Sequence, residues 1–126
     1  ILLQMAELYR HRGQPRRALS TLDYLTDRYP PGEEPGYVYY LKGLAYLALK
    51  RYHNAAEVLL TATQRGETTA EAYYRLGEAH LLAGQTTAAR VALAQAIARQ
   101  PDHQPSRLLL ARIAHGTGGL PARHLR

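Results

Sequence analysis

Few residues in this 126-residue chain have a type and spacing that could do chemistry. Its six histidines form no His-x-x-x-His or His-Glu-x-x-His pair, and cysteine is absent. Glu78 and His80 are two residues apart, so a helix would direct them to different faces. Neither serine, Ser20 or Ser106, lies in a Gly-x-Ser-x-Gly turn. The sequence therefore predicts no metal, no cofactor and no catalytic centre, and we expect a protein that is not an enzyme.

Phosphate-binding loops are also missing from the sequence. It contains no Gly-x-x-x-x-Gly-Lys-Ser/Thr loop and no Gly-x-Gly-x-x-Gly after a strand pattern. A glycine-rich stretch at residues 116–119 follows a helical pattern and leads into Pro121 and basic residues. This composition is typical of a linker, so we predict a flexible basic tail over residues 116–126.

The chain carries a formal net charge of +6, and 14 of its 16 basic residues are arginine. A basic chain can bind nucleic acid or acidic partners, but the excess here is spread along the sequence. We interpret the dense group at Arg10, Arg12, Arg16 and Arg17 as a solvated turn. No apolar run approaches the roughly 18 to 20 residues that span a bilayer, so we expect no membrane insertion. The arginine bias suggests a GC-rich bacterial genome, and the sequence does not decide between bacterial cytoplasm and periplasm.

The sequence repeats itself at a fixed spacing, which indicates a repeat architecture. Tyr39-Tyr40-x-x-Gly43 recurs as Tyr73-Tyr74-x-x-Gly77, an offset of 34 residues. An earlier copy is offset by 37 residues, and its three extra residues fall in the turn-like stretch 29–36. The offset of 34 also holds for further small and apolar pairs: Ala45 and Ala79, Ala55 and Ala89, Leu59 and Leu93, and Ala62 and Ala96.

Each copy divides into two helical pieces. Small or apolar residues within 87–99 follow the i, i+4 stripe of a helix with one buried face. Thr68-x-x-Glu71 has the spacing of a capping box that begins a helix. Gly43 and Gly77 lie in mid-helix, which indicates a close crossing by the facing helix. Glycines mark the expected helix ends, at Gly13, Gly66, Gly84 and Gly116. The pattern predicts an all-α solenoid of antiparallel helix hairpins.

These residues resemble the tetratricopeptide repeat family, whose pattern has an aromatic residue, Leu-Gly, Tyr, Ala, a bulky residue, Ala and Pro. The best copy reads Tyr73-x-x-Leu76-Gly77, continuing through Ala89, Leu93 and Ala96 to Pro101. The resemblance covers residues 1–115 and implies a right-handed superhelix. It divides the chain into repeats 1–35, 36–69 and 70–103 and a partial or capping helix 104–115. Lys42 and His80 depart from the pattern, in place of Leu and Tyr.

The resemblance also implies a binding surface, because first helices line the concave face in this family. The alternative is that these residues pack against neighbouring repeats or against a further repeat on the N-terminal side. Some relatives hold acidic C-terminal peptides with lysines and asparagines, but of the matching positions here only Arg75 is suitable, so we do not expect that clamp. Leu3, Glu7 and Arg10 flank the surface. Carried over by position, the expected partner-binding residues are Tyr37, Tyr40, Leu41, Leu44, Leu47, Glu71, Tyr74, Arg75, Glu78 and Leu81.

The function that follows from the resemblance is a non-catalytic scaffold that binds a peptide, a helix or a partner protein in this groove. Bacterial envelope, secretion and polysaccharide-export assemblies are settings that the resemblance suggests. The alternative is an RNA-binding helical-repeat module, which the basic charge favours. A helical pattern that begins at Ile1 without a cap predicts a piece of a longer protein, whose exposed solenoid ends could self-associate.

Overall fold

The computed structural model describes residues 1–116, so the predicted tail lies outside the described residues apart from Gly116. The described residues form helices and connecting turns, with no strand among them. None of these helices is long and apolar enough to cross a membrane. The seven helices are α1 (Leu2–His11), α2 (Pro15–Thr26), α3 (Gly36–Ala48), α4 (Tyr52–Gln64), α5 (Ala70–Leu82), α6 (Thr86–Arg99) and α7 (Gln104–Ala114).

The chain folds into two compact units, each with its own core. Unit 1, Ile1–Glu67, contains α1 to α4, and unit 2, which begins at Thr68, contains α5 to α7. In unit 1, one cluster of buried core residues consists of Ala6, Leu22, Val38 and Leu41. In unit 2, a corresponding cluster consists of Leu81, Ala89, Leu93, Leu109 and Ile113. Burial of these apolar side chains supplies the main stabilisation of helices that are too short to persist alone.

Glycine permits a close approach between paired helices in each unit. A Cβ atom on Gly43 would collide with Cγ and Cδ2 of Leu59, and one on Gly77 would lie 2.8 Å from Cγ of Leu93. Both leucines are fully buried, so they have no room to move aside. The predicted crossing is therefore present, but a leucine fills the space above each glycine. The carbonyl oxygen of Ala89 stands farther from the Gly77 position, at 3.4 Å.

A tyrosine–arginine contact recurs at the same spacing of 34 residues. The Arg65 guanidinium lies 5.4 Å from the ring centre of Tyr39, and Arg99 lies 5.3 Å from that of Tyr73. In each case the arginine follows or ends the second helix and covers a ring on the first. The contact is a cation–π interaction, worth about 0.5–1 kcal/mol at exposed sites. It links the start of α3 to the end of α4, and the start of α5 to the end of α6.

The start of α5 differs from the predicted capping box by one residue. Thr69, not Thr68, is the N-cap, and its hydroxyl oxygen accepts the backbone N–H of Ala72 at 3.1 Å. The prediction fails because Glu71, the expected reciprocal partner, is engaged elsewhere. Its carboxylate binds Arg75 and His103 rather than the cap.

The short turns inside the three hairpins share one backbone conformation. Residues 12–14, 49–51 and 83–85 connect the paired helices, and the middle residue of each has a positive φ. Two of these residues are glycines, Gly13 at 71° and Gly84 at 83°. The third is Lys50, at 60°, and it is the one non-glycine residue with positive φ among the described residues. A side chain in this left-handed region crowds the backbone, so Lys50 carries local strain.

Replacing Lys50 by glycine should therefore stabilise the protein. The left-handed conformation costs a non-glycine residue about 1–2 kcal/mol, part of which is offset by the greater chain entropy of glycine. We expect Lys50→Gly to raise the free energy of unfolding in urea by about 0.5–1 kcal/mol. The reverse change at the equivalent turn, Gly84→Lys, should lower it. Equal effects of the two variants, or a less stable Lys50→Gly protein, would contradict this account.

Candidate functional site

The first face to consider lies on α3 of unit 1 and is named here the tyrosine face. It consists of Tyr37, Tyr40, Leu44 and Leu47, with Glu7 and Arg10 from α1 beside it. The four α3 side chains are half-buried, and the first three pack on the core of unit 1. The rings of Tyr37 and Tyr40 are stacked, with centres 6.0 Å apart and planes inclined by 25°. Anchored from below and stacked on each other, the rings form a rigid, partly apolar surface.

One hydrogen bond fixes the edge of this face. The Tyr37 hydroxyl donates to Oε2 of Glu7 at 2.5 Å, which joins α3 to α1. The carboxylate acceptor and its negative charge stabilise the neutral phenol, and burial acts in the same direction. Together they raise the pKa of Tyr37 to about 12, against the opposing effect of the Arg10 charge. The hydroxyl therefore stays protonated well above the usual pH range for tyrosine and holds Glu7 in place.

Two predicted partner-binding residues do not contribute surface. Leu41 is 2% exposed and Leu81 is 4% exposed, and each belongs to the core of its own unit. The structure therefore leaves these two predicted residues almost no surface for a partner, because both point toward packed neighbours. Leu41 packs in one core with Ala6, and Leu81 in another with Leu109.

The second face lies on α5 of unit 2 and is named here the charged face. It consists of Glu71, Tyr74, Arg75 and Glu78, all half-buried. The Arg75 Nε donates to Oε2 of Glu71 at 2.9 Å, and its Nη1 donates to Oε1 of Glu78 at 3.0 Å. The same guanidinium lies 5.4 Å from the ring centre of Tyr74. Burial first, and then the Glu78 charge, raises the pKa of Tyr74. Arg75 is thus held by its own unit in a fixed position.

A buried polar pair connects this face to α7. His103 is 8% exposed and Ser106 is fully buried. The His103 Nδ1 lies 2.8 Å from Oγ of Ser106, and its Nε2 lies 3.3 Å from Oε1 of Glu71. A neutral imidazole satisfies both contacts when Nε2 carries the proton and Nδ1 accepts from the serine hydroxyl. The centre of the Tyr74 ring lies 5.6 Å from that of the His103 ring, and the two planes are inclined by 56°.

Serine, histidine and glutamate in contact could suggest hydrolysis, but burial argues for a structural role. A nucleophilic serine must reach its substrate, and Ser106 has no exposed surface. His103 stands at the N-cap of α7 and Ser106 three residues later, so the pair fixes the start of that helix. Among residues 1–116, no group of three or more His, Asp or Glu side chains could hold a metal ion.

Sequence reasoning missed both of these connections between helices. The His103-x-x-Ser106 spacing was a local signal, since it places two polar side chains at the N-cap and third position of a helix. The bonds from Tyr37 to Glu7 and from His103 to Glu71 join residues 30 and 32 positions apart. No local pattern indicates such contacts. The sequence placed Tyr37 and Glu7 on one surface without indicating that they bind each other.

The Tyr37–Glu7 bond should make stability depend on pH in the alkaline range. Because the folded state raises the pKa of Tyr37 from about 10 to about 12, the stabilisation is fully present below pH 10 and is lost as pH approaches 12. We expect the wild type to lose more stability than Tyr37→Phe between these values, measured by urea unfolding. The absorbance of tyrosinate, followed as pH is raised, should show one ionisation at high pH in the wild type that Tyr37→Phe lacks. Tyr24→Phe, at a 58% exposed ring, is the matched control; parallel curves for all three proteins would contradict the assignment.

Solved structures with a similar fold cover most of the chain. The crystal structure of MamA is 24% identical with a TM-score of 0.81, covering 91% of this chain and 67% of that one. The first TPR of Spaghetti (RPAP3), bound to the HSP90 peptide SRMEEVD, is 18% identical with a TM-score of 0.83, covering 91% and 89%. The NMR structure of the first TPR domain of human RPAP3 is 18% identical with a TM-score of 0.80, covering 90% and 87%. At these identities the likeness shows the fold.

Sequence comparison gives the family directly. No curated protein matches the chain. The profile of the tetratricopeptide repeat matches residues 3–68, 40–105 and 74–122. Because these stretches together run from residue 3 to residue 122, and the described residues form helical hairpins, the chain belongs to the tetratricopeptide repeat family and has its all-α helical-repeat solenoid fold.

Proposed function

We propose that this chain is a non-catalytic protein-interaction module that holds an extended or helical segment of a partner protein against its tyrosine face. The observation that carries the proposal is the stacked, core-anchored pair of Tyr37 and Tyr40. Tyrosine is a favoured interface anchor because its ring supplies a large contact area at low entropic cost. Leu44 and Leu47 extend the apolar surface on the same helix. A half-buried, rigid face of this kind loses little conformational freedom when a partner binds.

Family membership supports a partner that is a protein. A similar solved structure, the first TPR of Spaghetti, is bound to an HSP90 peptide. The chemistry of the present face favours a different sequence from that acidic peptide. Glu7 places a carboxylate against Tyr37 at the edge of the tyrosine face, where it would repel an acidic side chain, while Arg10 beside the face offsets part of that charge. We therefore expect the partner segment to be apolar, with a neutral or basic residue facing Glu7.

The charged face has a secondary role in this proposal. Arg75 is paired with Glu71 and Glu78, so a partner that binds the Arg75 guanidinium must first break one of these ion pairs. Exposed pairs of this type contribute at most about 1 kcal/mol, and the exchange would add little affinity. We expect Tyr74 and the outer edges of Glu71 and Glu78 to adjust specificity. The setting in a bacterial envelope, secretion or polysaccharide-export assembly stays a prediction from the family.

The RNA-binding alternative has less support from the same residues. Recognition of single-stranded RNA combines aromatic stacking with cations that follow the backbone. The tyrosine face has the aromatic rings and a cation, Arg10, beside it, but a carboxylate lies against Tyr37. On the charged face, the arginine is neutralised by two glutamates. Tight binding of random RNA that weakens steeply with salt would favour this alternative over a protein partner.

Selection from a random peptide library displayed on phage tests the proposal without a known partner. We expect the immobilised chain to select peptides of one apolar pattern, and Tyr40→Ala to weaken the best of them by about tenfold or more. Tyr24→Ala, which removes a 58% exposed tyrosine from α2, should leave affinity unchanged. Tyr40→Phe should retain most of the affinity, and circular dichroism should show that all three variants fold.

Two results would contradict the proposal. One is peptide binding that survives Tyr40→Ala in a protein shown to be folded. The other is equal weakening by Tyr40→Ala and Tyr24→Ala, which would mean that the tyrosines act through general stickiness of the surface.

A further inference from the structure

Another part of unit 1 has a small, shallow surface pocket that the proposed function does not use. It has a volume of about 280 Å³ and lies between the end of α1 and the first turns of α2. None of its lining residues belongs to the tyrosine face. The lining residues are Tyr9, Arg16, Arg17, Ser20 and Thr21.

The pocket is lined by donors and cations. Arg16 and Ser20 are four residues apart on α2, as are Arg17 and Thr21, so the two pairs lie on adjacent strips of the helix. Arg16, Arg17 and Ser20 are exposed. The Arg17 guanidinium lies 5.7 Å from the ring centre of Tyr9, a contact that helps to position it beside the pocket. Thr21 donates its hydroxyl to the carbonyl oxygen of Arg17 at 2.9 Å.

No carboxylate lines this pocket. The two acidic residues nearest in sequence are occupied in other contacts. Glu7 accepts the hydroxyl of Tyr37, and Asp23 pairs with Lys42 at 3.0 Å. Two exposed arginines therefore line one shallow pocket that has no acidic residue in its lining, an arrangement that favours an anion.

The repeat itself does not require these residues. The positions equivalent to Arg16 and Arg17 hold His53 and Asn54 in the next hairpin, and the position of Ser20 holds Glu57. In the third hairpin all three are uncharged. Arginine in the first turn of a helix is also unfavourable, because the N-terminal end of the helix dipole is positive. The contact with Tyr9 accounts for Arg17 as part of hairpin packing, but neither packing nor helix stability explains Arg16 and Ser20 beside it.

We propose that the pocket binds a phosphate monoester carried by a side chain of a partner protein. A monoester dianion matches the charge of two arginines, and guanidinium groups bind phosphate oxygens through paired hydrogen bonds. Ser20 and Tyr9, which also line the pocket, carry hydroxyl groups that can donate further hydrogen bonds. Recognition of a phosphorylated motif by clustered arginines is an established mode of peptide binding.

The size of the cluster favours one phosphate over a nucleic-acid backbone. Nucleic acid requires cations that follow several phosphates in succession. Here the dense positive charge is confined to residues 10–17. The two arginines of α6 do not form a second cluster: Arg99 contacts Tyr73, and Arg90 lies nine residues earlier in the helix. One pocket with two arginines fits one phosphoryl group.

Titration of the full chain, followed by amide NMR shifts, tests the site. The probes are a short phosphoserine peptide, its unphosphorylated form and inorganic phosphate, all at constant ionic strength. We expect saturable shifts centred on residues 16–21 with the phosphopeptide and none with the unphosphorylated peptide. Arg16→Gln should raise the dissociation constant by about tenfold, in line with loss of a charge-assisted hydrogen bond. Arg90 is an exposed arginine on α6. Arg90→Gln removes the same charge and should change the dissociation constant by less than about twofold.

Three outcomes would overturn the proposal. Equal weakening by Arg16→Gln and Arg90→Gln would mean that the chain responds to net charge and has no built site. If inorganic phosphate binds as tightly as the phosphopeptide, the ligand of the pocket is free phosphate and not a phosphorylated partner protein. If a single-stranded oligonucleotide binds more tightly than the phosphopeptide, with shifts that extend beyond residues 16–21, the ligand is a nucleic acid and not a phosphate monoester. Variants of the tyrosine face leave this pocket intact, so failure of the proposed function would not alter these results.

Discussion

The packing of a leucine side chain over a glycine is the contact on which the rest of each unit depends. Leu59 occupies the space where Gly43 lacks a side chain, and Leu93 does the same above Gly77. The absent Cβ lets the two helices of a hairpin approach closely, and the fully buried leucine then fixes their rotation. Glycine in mid-helix costs about 1 kcal/mol relative to alanine, which the close packing offsets.

That fixed rotation determines which side chains remain outside. With Gly43 and Leu41 directed into the packed side of α3, Tyr37, Tyr40 and Leu44 are left half-buried at its margin. Their inner atoms support the core, and their outer atoms form the tyrosine face. In unit 2, the same constraint on α5 leaves Glu71, Tyr74 and Arg75 at the margin, where His103 secures them. Packing and the proposed binding surface are therefore two sides of the same helices.

The fold could be predicted because its decisive contacts recur along the sequence. The spacing of 34 residues, the glycines in mid-helix and the small residues opposite them all record hairpin packing, which is local in sequence. The candidate site was harder to predict, because its limits depend on neighbouring helices. Leu41 and Leu81 have the same period as exposed residues and are buried by packing partners outside their own helix. Lys50 was missed at its turn because no sequence rule requires lysine there, and only the equivalent glycines reveal its conformation.

A double-mutant cycle at Gly43 and Leu59 tests the central contact most directly, with the free energy of unfolding in urea as the measurement. In the wild-type background, Gly43→Ala should destabilise the protein by about 1–3 kcal/mol, because its methyl group overlaps Leu59. In the Leu59→Ala background, the same change should be neutral or stabilising, since the space is then free and alanine is the better helix former. The same effect in both backgrounds would show that Leu59 does not occupy the glycine position and would contradict the account.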